Sequence, residues 1–275
     1  MTRSRIFSLR KTLILYIFGF VNCIFFTGAF GAPLATQSVV RLTPITSKAD
    51  TVNGANIPSN YLGEVISELK KQWPNNRNIN IVFHGHSVPS GYFRTPAVNT
   101  FESYPFLLLR SLTKTYPTAV INIIKTCKGG ENSEQGAKRF KSDVLIHHPD
   151  IIFIDYALND RLIGLARARK AWEYMIKTAV KHGIKVILMT PTPDITESLS
   201  DQNAPLAQMA HQISELGVKY HVPVIDPYSK FKEIVAAGNS LSYYMAQSNH
   251  INQYGHSVVA NLILPLFDIT PISSN

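Results

Sequence analysis

A three-layer α/β/α sandwich on about five mainly parallel strands is the fold this sequence predicts. Apolar runs rich in β-branched residues recur along the chain, with helix-like stretches between them. The runs are apolar on both faces, as strands are when helices cover a parallel sheet from both sides. No internal repeat and no interior linker divides the chain after its first segments, so one domain is expected over 58–275.

The N-terminus reads differently. Arg3, Arg5, Arg10 and Lys11 precede the apolar stretch "TLILYIFGFVNCIFFTGAFGA", and Ala29-Phe30-Gly31 offers the small residues a signal peptidase reads. The stretch is also close to membrane-spanning length, roughly 20 residues. Residues 1–32 are therefore expected to be either a signal peptide or a retained N-terminal anchor, with membrane attachment through 12–32. Either way the protein is expected to be exported. Residues 33–57, rich in Thr, Ser, Asn and Ala, are expected to be a lead-in segment.

From residue 61, "YLGEVISELKKQW" has helical spacing. Strands are expected at "INIVF" (79–83), "AVINII" (119–124), "DIIFIDYA" (150–157), "KVILMT" (185–190) and "VPVID" (222–226). Between them, "YPFLLLRSLTKTY", "SEQGAKRFKSDVLI", "LARARKAWEYMIKTAVKHG" and "APLAQMAHQISELGVKY" read as helices, and a last helix is expected over about 252–266. Pro105 suits a first helical turn, and Gly183 suits the end of the helix that begins near Leu165.

Composition narrows the function classes. The chain has 275 residues, 45% hydrophobic and 16% charged, which is globular and affords a sizeable core. Its net charge is +9, but a cut near residue 31 leaves 23 basic against 18 acidic residues, a mild +5. No Lys/Arg-rich block is present, so no nucleic-acid partner is expected; an acidic glycan or anionic surface suits the charge equally. Cys23 belongs to the N-terminal segment and leaves Cys127 alone, which excludes an internal disulfide and a zinc–cysteine site in the domain.

In a parallel α/β sheet, ligands sit beyond the carboxyl ends of the strands. Four polar places follow strands here: Ser87, Gly129-Gly130, Asn159-Asp160 and Asn249-His250. Each has an ordinary explanation alone. Gly-x-Ser is a common turn, paired glycines serve loops that need positive φ, Asn-Asp caps and turns chains, and a lone His is commonplace at a helix start. Together they supply a nucleophile, a base and donors for a tetrahedral oxyanion, which is what acyl transfer by serine requires.

The same blocks resemble the SGNH/GDSL-type serine esterases and acetylesterases. "GHSVPSG" resembles that family's first block, usually Gly-Asp-Ser, and "GGENS" the second. "ALND" resembles the third block, Gly-x-Asn-Asp, and "QSNHINQYGH" the last, Asp-x-x-His. The resemblance spans about residues 79–260. It implies a flavodoxin-like sandwich, an oxyanion hole of the Ser87 N–H, the Gly130 N–H and the Asn159 amide, and His250 as general base. It implies no organic cofactor and no metal.

The chain departs from the pattern at His86, at Ala157 and at Gln247, which stands where the triad Asp is expected. Three substitutes for that Asp are open: the Gln247 amide oxygen, a backbone carbonyl that leaves a Ser-His dyad, or a carboxylate from elsewhere such as Asp226. His84 and His86, at i and i+2, show no third ligand for a metal. His147 and His148 read as loop residues, and His256 as capping or packing at the last helix. The expected function is an exported ester hydrolase that removes short acyl groups, acetyl foremost, from a small-molecule or oligosaccharide ester. The alternatives are a lysophospholipase or arylesterase, and a weakly catalytic glycan-binding envelope protein.

Overall fold

The computed structural model describes residues 60–271, so the signal or anchor expected at 1–32 and the lead-in at 33–57 lie outside the described residues. The described part contains one five-stranded sheet with spatial order β2-β1-β3-β4-β5. Its strands are β1 (Asn78–Gly85), β2 (Val120–Lys125), β3 (Ile151–Asp155), β4 (Lys185–Met189) and β5 (Val224–Ile225). Every neighbouring pair is parallel.

Alternation along these strands divides the core into two layers. Ile81, Phe83, Ile151, Phe153, Ile187 and Met189 face one cluster, which contains Leu108 and Leu112 of α3 (Tyr104–Thr115) and Val259 and Ile263 of α9 (Gln253–Ile263). Val82, Ile152, Ile154, Val186 and Leu188 face the other. There they meet Phe140 of α4 (Ser133–Asp143), Trp172 and Met175 of α6 (Leu165–Lys181), and Ile213 of α7 (Pro205–Tyr220). Both faces of β1, β3, β4 and β5 are largely buried, which is why those strands read as continuous apolar runs; the edge strand β2 is only partly covered. Each such side chain contributes about 1.5–3 kcal/mol on removal from water.

Helix boundaries follow local chemistry. Pro105 occupies the first turn of α3. Asn132 caps α4 in a capping box with Gln135. Gly183, with φ of +73°, lies just past α6.

Two elements differ from the sequence expectation. The chain after β5 forms helix α8 (Pro227–Ala236), capped by Asp226, whose Oδ1 accepts from the Ser229 N–H at 3.0 Å. It then forms an antiparallel hairpin of β6 (Met245–Gln247) and β7 (His250–Ile251), separate from the main sheet. Three short helices complete the frame: α1 (Gly63–Leu69), α2 (Ser87–Ser90) and α5 (Ala157–Asp160). No described helix is long and apolar enough to cross a membrane.

Candidate active site

The strand order sets the site. β1 lies between β2 and β3, so the residues that follow these three strands meet at one sheet edge. Ser87 follows β1 as the first residue of α2, Gly130 lies in the loop after β2, and Asn159 lies in α5 after β3. The hairpin then brings His250 over the same edge.

Ser87 is buried, and its Oγ lies 2.8 Å from His250 Nε2. His250 Nδ1 lies 3.1 Å from the Phe93 carbonyl oxygen. A carbonyl only accepts, so Nδ1 carries the proton and Nε2 is free to take the serine proton. Burial holds the His250 imidazole below its ordinary value; the Phe93 carbonyl pulls it up and nearby His86 pushes it down.

Of the three open substitutes for the triad Asp, the Gln247 amide oxygen does not reach His250. Gln247 Oε1 accepts from the Thr95 N–H at 2.9 Å, and Gln247 Nε2 donates to Asn249 Oδ1 at 3.0 Å. Asp226 is likewise engaged elsewhere, accepting from Thr190 Oγ1 at 2.6 Å while capping α8. The partner of Nδ1 is a main-chain oxygen, which has no signature in a side-chain pattern.

Gly130 has φ of +74°, a conformation that favours glycine, and a Cβ there would meet nothing within 4 Å, so the space above it is open. Gly129 is crowded instead: a Cβ would lie 3.3 Å from the Tyr92 ring, whose centroid is 6.1 Å from that of His250. Tyr92 thus lies near both the glycine loop and the imidazole. Asn159 donates from Nδ2 to the Glu131 carbonyl at 2.9 Å, which fixes its amide beside Gly130.

Buried polar groups support this loop. The Glu131 carboxylate pairs with Arg139, whose Nε lies 2.7 Å from Oε1, and accepts from the Tyr156 hydroxyl at 2.8 Å. Asp160 accepts from the Ser133 N–H at 2.7 Å and from Trp172 Nε1 at 2.6 Å. Burial pushes its carboxyl up to about 6 despite these two donors.

Three other histidines are built into the fold. His84 contacts Thr126 Oγ1 at 2.8 Å and the Gly136 carbonyl at 3.2 Å. His86 caps α2, its Nδ1 accepting from the Val88 N–H at 3.2 Å. Its Nε2 lies 3.2 Å from Asp155 Oδ1, close enough for electrostatic contact but not aligned for a hydrogen bond. Asp155 also accepts from the Tyr104 hydroxyl at 2.7 Å. His256 packs as well as helping a turn: its ring stacks on Phe93 at 5.1 Å, and Nδ1 accepts from the Tyr104 N–H at 3.2 Å. No group of three or more His, Cys, Asp or Glu side chains suited to a metal occurs among the described residues.

Comparison with known proteins places this geometry. A GDSL-like Lipase/Acylhydrolase family model matches residues 83–258. A two-domain esterase active on acetylated mannans superposes with a TM-score of 0.65 at 22% identity, over 78% of this chain and 54% of that one. A catalytic mutant of Axe2, an acetylxylan esterase from Geobacillus stearothermophilus, gives 0.61 at 16% identity, over 75% of this chain and all (100%) of that one. At these identities the likeness shows the fold. In sequence, the chain is 34% identical over 93 residues to the "Uncharacterized lipoprotein YqeF" of Bacillus subtilis (strain 168), spanning 31% of this chain and 38% of that protein's length.

Proposed function

The chain belongs to the GDSL-like lipase/acylhydrolase family, and from that premise we propose that it is a serine ester hydrolase with a Ser87–His250 dyad. The carrying observation is the 2.8 Å contact of Ser87 Oγ with His250 Nε2, backed by the Phe93 carbonyl on Nδ1. His250 takes the hydroxyl proton as Oγ attacks the ester carbonyl. The tetrahedral oxyanion accepts from the Ser87 N–H, the Gly130 N–H and the Asn159 amide. His250 then returns the proton to the departing alkoxide, and water repeats the cycle on the acyl-serine. Throughout, the Nδ1–H stays on the Phe93 carbonyl, so the imidazolium is oriented by a dipole without a carboxylate beside it.

The substrate class we infer is a short acyl ester, acetyl foremost, on carbohydrate. Support comes from the acetylated mannans named for one structural neighbour and the acetylxylan named for another. Export is supported by the basic and apolar N-terminal stretch and by the lipoprotein name of the sequence relative. An acyl-length series of p-nitrophenyl esters, run beside acetylated xylan and mannan oligosaccharides, tests the reading. Turnover greatest with acetyl, and its loss together with fluorophosphonate labelling in Ser87→Ala, is expected. Absence of labelling and turnover in the unaltered protein would leave a glycan-binding protein as the reading, with the uncharged Gln247 as its basis.

A further inference from the structure

The acceptor for His250 is a loop carbonyl, and a loop holds a carbonyl in place only if the loop itself is held. Phe93 and Ala97 close a tight turn, with the Phe93 N–H on the Ala97 carbonyl at 3.2 Å and the Ala97 N–H on the Arg94 carbonyl at 2.7 Å. From below, the His256 ring stacks on the Phe93 ring at 19° between planes. From the solvent side, one side chain ties this turn to the hairpin that carries His250: Gln247, through the Thr95 N–H. Its other end is fixed on Asn249, the residue next to His250. Acceptor and base are thus joined by a short closed circuit, from Phe93 to Thr95, across Gln247 and Asn249, to His250 and back.

We propose that Gln247 is a positioning residue for the general base, a strap that keeps the Phe93 carbonyl on His250 Nδ1. The inference rests on the ester-hydrolase reading for its kinetic consequence, but the geometry it describes does not depend on turnover. The position at which the family pattern carries a carboxylate acts here at one remove: it holds the acceptor instead of being the acceptor. A glutamine is suited to this because its oxygen takes the Thr95 N–H while its NH₂ engages Asn249, a pairing a shorter side chain cannot span.

The test uses Gln247→Ala, Gln247→Glu and Gln247→Asp in the full chain. Each is followed by steady-state kinetics on p-nitrophenyl acetate and by NMR titration of the His250 ring. The titratable groups facing that ring are His86, ahead of α2, Tyr92, just after α2, and His256, from α9; Ser87 is its hydrogen-bond partner, and none of these is altered. Gln247→Ala is expected to lower kcat by roughly 10- to 100-fold with KM little changed, the scale of a misplaced catalytic group. Because the Phe93 carbonyl raises the imidazole's affinity for protons, its loss is expected to shift the titration downward. Gln247→Glu keeps an acceptor for Thr95 but gives up the donor to Asn249 and adds a negative charge, so it is expected to keep more of kcat than Gln247→Ala while raising the titration, whereas Gln247→Asp is too short to reach Thr95 and is expected to lower kcat as Gln247→Ala does. Unchanged kcat and titration in Gln247→Ala would overturn the proposal, as would a rate increase in Gln247→Asp, which would mean direct pairing with the imidazole. If the unaltered protein hydrolyses no ester, the activity reading fails, while the titration still decides the strap.

Discussion

His250 spans from the Ser87 hydroxyl to the Phe93 carbonyl, 2.8 Å on one nitrogen and 3.1 Å on the other. Its protonation therefore governs the dyad. In the proposed mechanism the neutral ring is the active form, so kcat/KM should be full above the His250 pKa and fall as pH drops through it. Burial holds that pKa below 6.5. The acid limb is expected to have its midpoint below 6.5, measured by kcat/KM on p-nitrophenyl acetate between pH 4 and 8; a midpoint above 6.5 contradicts the geometry.

Asn159 is the one side-chain donor assigned to the oxyanion. Asn159→Ala is expected to lower kcat by roughly 10²–10³-fold, with KM less affected. Asn159→Asp should be at least as damaging, since a carboxylate would face both the oxyanion and the Glu131 carbonyl that now accepts from Nδ2. Activity of Asn159→Asp equal to the unaltered protein would remove Asn159 from the site.

At Gly130, space and backbone conformation give separate answers. A Cβ would touch nothing, yet φ is +74°. Gly130→Ala is therefore expected to cost about 1 kcal/mol of stability from strain alone. Any relaxation of that strain turns the Gly130 N–H, so kcat should fall further than the stability change suggests. Urea unfolding and kcat measured on the same sample separate the two effects.

Arg139 and Glu131 form an ion pair with side chains 11% and 8% exposed. Removing one partner leaves the other charge buried, and Arg139→Met is expected to destabilise the fold by about 3–5 kcal/mol. The double variant with Glu131→Gln should recover part of that loss, as seen in denaturant midpoints. A single-variant loss under 1 kcal/mol would show that water reaches the pair.

Stability should fall in acid for a specific reason. Burial pushes His84 down to about 4 and His256 down to about 3, against an ordinary 6.5. The unfolded chain binds the extra protons, so their contribution is full above about 6.5 and is lost as pH falls through 4 and 3. Asp160 has the opposite sign. Its carboxyl is pushed from 3.8 up to about 6, so it penalises the fold as pH rises across that window. Urea midpoints from pH 3.5 to 7 are expected to be flatter above pH 4 in His84→Gln and steeper in Asp160→Asn.

The sheet was legible in the sequence because four of its strands are largely buried on both faces and so read as apolar runs. Val82 and Phe83 face different core layers yet are equally apolar. The order Ser87, Gly130, Asn159, His250 was legible as one group because each follows a strand. Helix α8 carries a signal in Asp226-Pro227, a cap followed by a first-turn proline. The β6–β7 hairpin had none: Gln247 and His250 pair across a register shift that no alternation reports. The acceptor for His250 was illegible in principle, since every residue carries a carbonyl and only the folded chain selects Phe93.

The proposed nucleophile and base, Ser87 and His250, lie 163 positions apart. During translation, the serine, the glycine loop and the amide all leave the ribosome while the imidazole is still to be polymerised. A nascent chain, or one clipped ahead of β6, carries an unactivated hydroxyl in a half-built cleft. On the proposed dyad, hydrolytic competence therefore arrives only with docking of the β6–β7 hairpin.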